Sequence, residues 1–256
     1  MSFVAFTTKI INLNRNRKKK FPSAKQTPIT IAQTMIKKIS ISVLLAMAFF
    51  SCSSPKEEIS RVVNTVPDTA DEGPKKLILF YGNSLTAGYG IEEEDAFPGL
   101  VQHAIDSLDL DYKVINGGLS GDTSASGLTR LDWFLEDEPA IFVLELGAND
   151  GLRGITLSET KRNLKAIIQK VREKFPDTII LLAGMQIPPN MGPEYIKEFQ
   201  EMYPAIAKEE NVQLIPFLLE GVAGNADLNL PDGIHPTEEG HRIVFKTVWG
   251  HLKEII

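Results

Sequence analysis

The stretch Leu77-Ile78-Leu79-Phe80-Tyr81-Gly82-Asn83-Ser84-Leu85-Thr86 decides how the rest of the chain is read. Five successive apolar or aromatic residues without polar alternation make a strand covered on both faces, as parallel strands are. Gly82 ends the run and permits a tight exit, which leaves the Ser84 side chain at the rim of a sheet. Four further runs repeat the pattern, at residues 112–115, 141–146, 178–183 and 212–217, so five buried strands are expected. Amphipathic stretches separate them. One is predicted to start at Thr156, where Thr156-x-x-Glu159 has the form of a capping box, with Leu164, Ile167, Ile168, Val171 and Phe175 on one face and Pro176 just beyond. The last follows Pro236 and lines up Val244, Val248, Leu252 and Ile255. Alternating strands and helices imply an α/β fold, a three-layer α/β/α sandwich around a central five-stranded parallel sheet. Ligands in such sheets bind beyond the carboxyl ends of the strands.

That edge is where the chemistry-bearing residues fall. Besides Gly82-Asn83-Ser84-Leu85-Thr86, the motifs are Leu119-Ser120-Gly121-Asp122-Thr123, Gly147-Ala148-Asn149-Asp150 and Asp232-Gly233-Ile234-His235. A serine hydroxyl is a poor nucleophile until a base takes its proton. His235, in a loop flanked by Pro231, Gly233 and Pro236, is the candidate base. Asp232, three residues earlier, is close enough in a turn to accept the Nδ1 proton and leave Nε2 for Ser84. The other histidines, His103, His241 and His251, fall within predicted helices, where exposed or core-edge roles are expected, and a Glu238–His241 pair reads as a solvated helical contact. Gly121 and Asn149, with the Ser84 N–H, supply three donors for a developing oxyanion. Met185, Ile187 and Pro188, after the fourth strand, read as an apolar wall suited to an acyl chain.

Charge and targeting features bound the remainder. Residues 1–51 carry +9 with no acid, and the rest carries −15, which disfavours nucleic acid as a partner of the folded part. Lys37 and Lys38 precede an apolar run over residues 39–50 that is too short for an ordinary membrane span. Cys52, the sole cysteine, follows that run directly and resembles the lipidated Cys of bacterial lipoproteins. Residues 1–34 are read as an extension that is disordered or not translated, residues 35–52 as a signal peptide, residues 53–74 as a flexible tether, and residues 75–256 as the folded domain. The expected setting is an exported lipoprotein, anchored to the membrane at Cys52 and facing the periplasm or cell surface of a bacterium.

Ser84, Gly121, Asn149 and His235 stand in the order that gives the SGNH, or GDSL-type, hydrolases their name. The resemblance runs from residue 75 to the C-terminus. Residues 145–154, 120–124, 185–188 and 232–236 look like the bacterial thioesterase/lysophospholipase/arylesterase branch. It implies the flavodoxin-like SGNH fold and a monomeric serine esterase cleaving esters or thioesters through an acyl-enzyme. It implies Ser84, Asp232 and His235 as catalytic residues, and neither metal nor organic cofactor. A carbohydrate O-deacetylase of the same fold and a non-catalytic lipid-binding lipoprotein are the alternatives. In one respect the chain departs from the family: Asn83 stands where the motif usually has Asp, so a negative charge beside Ser84 is missing.

Overall fold

The computed structural model describes residues 75–256. The expected signal peptide, Cys52 and the tether lie outside the described residues. Five strands form one sheet in the order β2-β1-β3-β4-β5, every pair parallel. They are β1 (Lys76–Gly82), β2 (Tyr112–Gly118), β3 (Pro139–Glu145), β4 (Ile179–Ala183) and β5 (Gln213–Ile215). Helices α1 (Ser84–Ala87), α2 (Phe97–Ser107), α3 (Ser124–Arg130), α4 (Ala148–Leu152), α5 (Leu157–Lys174), α6 (Pro193–Glu210) and α7 (Glu238–Leu252) complete the domain. Helix α2 packs against α7, while α3 and α6 both pack against α5, giving the two outer layers of an α/β/α sandwich.

Burial explains the unbroken apolar runs. In β1 everything from Ile78 to Gly82 is buried, and in β3 Ile141–Glu145 is buried. The expectation of five fully buried strands is corrected at the edges. Strand β2 is only half-buried along most of its length, and in β5 only Ile215 is buried. An edge strand lacks a neighbour on one side, so the covering helices cannot enclose it as they enclose the centre.

Helix α5 starts where expected, with Thr156 at its N-cap, but the capping box is not formed. The Thr156 carbonyl accepts from the N–H groups of Glu159 and Thr160, while the Glu159 carboxylate turns outward to Arg162. A reciprocal box does cap α3, between Thr123 and Ser126.

Register positions the site. Gly82, the last residue of β1, is level with Gly118 on β2 and Glu145 on β3. The chain leaves β1 for β2 on one side and later returns to β3 on the other, which makes the β1/β3 boundary a topological switch point. The loops after β1, β2 and β3 therefore open side by side at one edge.

Candidate active site

Ser84 is the first residue of α1, so its N–H has no partner within the helix. Asn83 caps that helix, its side chain accepting from the Leu85 N–H at 3.0 Å. The sharp exit requires glycine at position 82. A Cβ there would lie 2.0 Å from Thr86 Oγ1 and 2.6 Å from Glu145 Oε2.

His235 arrives from the opposite end of the chain. Its loop is tied down by an antiparallel bridge between Asn229 and Pro236 and by a hydrogen bond from Leu230 N–H to the His235 carbonyl at 2.7 Å. Asp232 organises the turn. One carboxylate oxygen accepts from the Ile234 and His235 N–H groups at 3.0 and 3.1 Å. The other lies 2.7 Å from His235 Nδ1. Those bonds, led by the imidazole contact, hold the Asp232 carboxyl below its ordinary pKa. With Nδ1 committed to Asp232, Nε2 stands 2.9 Å from Ser84 Oγ. Tyr89, just past α1, lays its half-exposed ring over the imidazole with centroids 4.5 Å apart.

The expected oxyanion donors border the same space. Gly121 has φ +86°, a left-handed conformation in which any other side chain is strained. The Arg153 guanidinium donates to its carbonyl at 3.0 Å. Asn149 donates one amide proton to the Asp122 carbonyl at 2.8 Å, which fixes the carboxamide and leaves its second proton for a ligand.

A cavity of about 640 Å³ joins these groups. Ser84, Gly121, Asn149 and His235 line it, as do Met185, Ile187 and Pro188, so the residues expected as nucleophile, base, oxyanion donors and acyl wall border one space, with Asp232 behind the imidazole. Leu152, Phe217, Leu219 and Ile234 extend its apolar wall. Those four and Tyr89 were not anticipated. They come from four separate segments; Tyr89, Leu152 and Ile234 stand in or near the quoted motifs, whereas Phe217 and Leu219 carried no motif. Among the described residues no cluster of three or more His, Cys, Asp or Glu is arranged to hold a metal ion.

Beneath the cavity lies a polar layer that sequence reasoning also missed. Arg130 pairs with Asp122 and donates to the Gly82 and Gly117 carbonyls at 3.0 and 2.9 Å, its guanidinium 4.3 Å from the Tyr81 ring centroid. Asp150 accepts from the Ser124 N–H and hydroxyl at 2.8 and 2.5 Å. Glu145 accepts from Asn83 and Thr86. Every buried side-chain nitrogen and oxygen among the described residues has a partner. His241 is a correction. It is buried rather than solvated, accepts from the Phe97 N–H at 3.1 Å and stacks on that ring, and burial lowers its pKa to about 4. Helix α7 turns this residue inward against α2 and the Phe97 ring.

A parallel α/β/α domain presenting a hydroxyl, an imidazole and a carboxylate in sequence at its carboxyl edge defines a hydrolase of the serine type. The profile of the GDSL-like Lipase/Acylhydrolase family matches residues 80–243. Esterase TesA of Pseudomonas aeruginosa is 41% identical over 71% of this chain and 90% of its own length. Arylesterase of Vibrio mimicus is 34% identical over 77% of this chain and 90% of its own. Thioesterase 1/protease 1/lysophospholipase L1 of Escherichia coli is 36% identical over 70% and 84%. A crystal structure of TesA superimposes with a TM-score of 0.68 at 40% identity, covering 71% of this chain and all of that one. The chain belongs to the GDSL-like lipase/acylhydrolase family, the SGNH hydrolases, and is an ester-hydrolysing enzyme.

Proposed function

We propose that Ser84 is the nucleophile, His235 its general base and then acid, and Asp232 the group that orients and charge-stabilises the imidazole. Ser84 Oγ attacks the carbonyl carbon of an ester or thioester as His235 Nε2 takes its proton. The oxyanion accepts hydrogen bonds from the Ser84 N–H, the Gly121 N–H and Asn149 Nδ2. His235 returns the proton to the departing alcohol or thiol, leaving Ser84 acylated. Water, deprotonated by the same nitrogen, then releases the acid. The observation that carries this reading is the 2.9 Å approach of His235 Nε2 to Ser84 Oγ across 151 residues of sequence, with Nδ1 already occupied by Asp232.

The substrate is an acyl ester or thioester whose chain lies against Met185, Ile187 and Pro188. The predominantly apolar wall supports an acyl chain over the polyol of a carbohydrate deacetylase. One chain supplies every group, so a monomer suffices. The basic, apolar, Cys52-terminated leader supports export with a lipid anchor at Cys52.

A p-nitrophenyl ester series from acetate to palmitate tests the reading. Each CH2 buried in the transition state contributes at most about 0.8 kcal/mol, roughly fourfold in kcat/KM. The expected profile rises beyond acetate and levels off once the cavity is filled. A profile that peaks at acetate favours the deacetylase. Ser84→Ala is expected to abolish turnover across the series, and equal activity in both proteins would remove Ser84 from the mechanism.

A further inference from the structure

Glu145 is buried directly behind the nucleophile and takes no part in the steps just described. Three donors converge on its carboxylate. Oε2 accepts from the Asn83 N–H at 3.0 Å and the Thr86 hydroxyl at 2.9 Å, and Oε1 accepts from Asn83 Nδ2 at 2.6 Å. The other end of the same carboxamide, Asn83 Oδ1, accepts from the Leu85 N–H at 3.0 Å and lies 3.4 Å from Ser84 Oγ. A carboxamide has distinguishable ends, so its orientation is fixed by what faces each. Flipped, Asn83 would set its oxygen against the carboxylate and its NH2 against the Leu85 N–H that opens α1.

We propose that Glu145, as a carboxylate, is a positioning residue for hydrolysis: it holds the Asn83 carboxamide in the one orientation that caps α1, the helix whose first residue is Ser84, and so fixes Ser84 in front of His235. The proposal rests on the reading of Ser84 as nucleophile. Asparagine, standing where the family motif usually has aspartate, suits this arrangement. An acceptor-only side chain at position 83 would face an acceptor-only carboxylate at 2.6 Å, and the two would need a shared proton. With asparagine, the pair is neutral amide against anion and needs none.

The surroundings leave Glu145 as the group that titrates here. Asn83 and Thr86, which meet it from the N-cap and the body of α1, are not ionisable. Tyr203 on α6 senses its charge, but burial raises the phenol well above its usual range and keeps it neutral. Burial also pushes the Glu145 carboxyl up to about 7, against the pull of its hydrogen bonds. Proton uptake as pH falls through that value therefore weakens the donor cluster.

The test is a cycle of Glu145→Gln, Asn83→Asp and the double variant, with kcat and KM for a short p-nitrophenyl ester measured from pH 6 to 9. Circular dichroism and thermal melting report folding, and Ser84→Ala is the control. Glu145→Gln sets one NH2 against another and is expected to lower kcat about 10- to 100-fold with KM within about twofold. Asn83→Asp creates the carboxylate pair, so its activity is expected to fall as rising pH removes the shared proton. The double variant restores every bond, with only the one between the two side chains reversed in direction. The introduced amide NH2 donates to the introduced carboxylate, and its carbonyl accepts from the position 83 N–H and from Thr86. It is expected to recover to within about fivefold of wild type and to lose the alkaline sensitivity. Wild-type kcat in Glu145→Gln overturns the proposal, as does a double variant no better than the worse single. Should Glu145→Gln fail to fold, the pH profiles of Asn83→Asp and the double variant decide alone, and indistinguishable profiles overturn it. Activity surviving in Ser84→Ala removes the underlying reading, whereas its loss beside an unaffected Glu145→Gln isolates the failure to Glu145.

Discussion

The two sides of the active site are built differently. The nucleophile side is embedded: Ser84 sits on a buried shelf of Asn83, Thr86 and Glu145, braced by Arg130 where β1 and β2 end. The base side is a surface loop, its Asp232 side chain 39% exposed, held by a three-residue turn and a single bridge. Position is enforced by tertiary packing on one side and by local hydrogen bonds on the other. Damage to the base side should therefore cost rate without stability, while damage to the shelf should cost both.

The largest expected effect breaks the base side alone. Asp232→Asn keeps an acceptor for the Ile234 and His235 N–H groups but offers an NH2 to Nδ1, favouring the wrong tautomer. A loss of about 10³–10⁴ in kcat is expected, with the melting temperature essentially unchanged in a thermal scan. A large fall in melting temperature would erase the contrast. Next is the shelf. Arg130→Met leaves the Asp122 carboxylate and two strand-end carbonyls without their donor, and about 3–5 kcal/mol of stability should be lost in urea unfolding. A stability within 1 kcal/mol of wild type, on the order of ordinary surface substitutions, would mean that the shelf is not braced through this residue.

The smallest expected effect concerns two histidines six positions apart. His235 works from a loop, whereas His241 is buried and neutral with its pKa lowered to about 4 from 6.5. A depressed histidine contributes stability that is fully present above the unfolded value and lost as pH falls toward the folded one. Between pH 6.5 and pH 4 this group should cost up to roughly 3 kcal/mol. Glu145 opposes it: its raised pKa makes stability fall as pH rises from 4.5 through about 7. Unfolding free energies at pH 4.5 and 6.5 in wild type and His241→Gln isolate the histidine share. A variant as acid-sensitive as wild type would assign that sensitivity elsewhere.

The sheet was legible because each central strand is written as an uninterrupted apolar run, and burial on both faces leaves that signature in few other places. Ser84, Gly121 and Asn149 were legible because each stands in a short motif just past a strand, and His235 because its motif fills the loop before α7. Glu145, Arg130 and Asp150 were not: the first stands in a run read as buried and the last in a quoted motif, but the partners of Glu145 and Asp150 lie 62 and 26 residues away and the strand-end carbonyl that Arg130 holds lies 48 away, so nothing local shows what they bind. Thr156 marked a true helix start for the wrong reason. His241 misled because it was paired with Glu238 on the strength of its polarity, although it stands one turn before Val244 on the stripe that is buried.

Gly82 carries a consequence for how such a site can diverge. Thr86 and Glu145 crowd the space a side chain would need, so this position is closed to every replacement whatever the substrate. Variation behind the serine is therefore left to positions 83 and 145, whose side chains meet across the space that Gly82 keeps open.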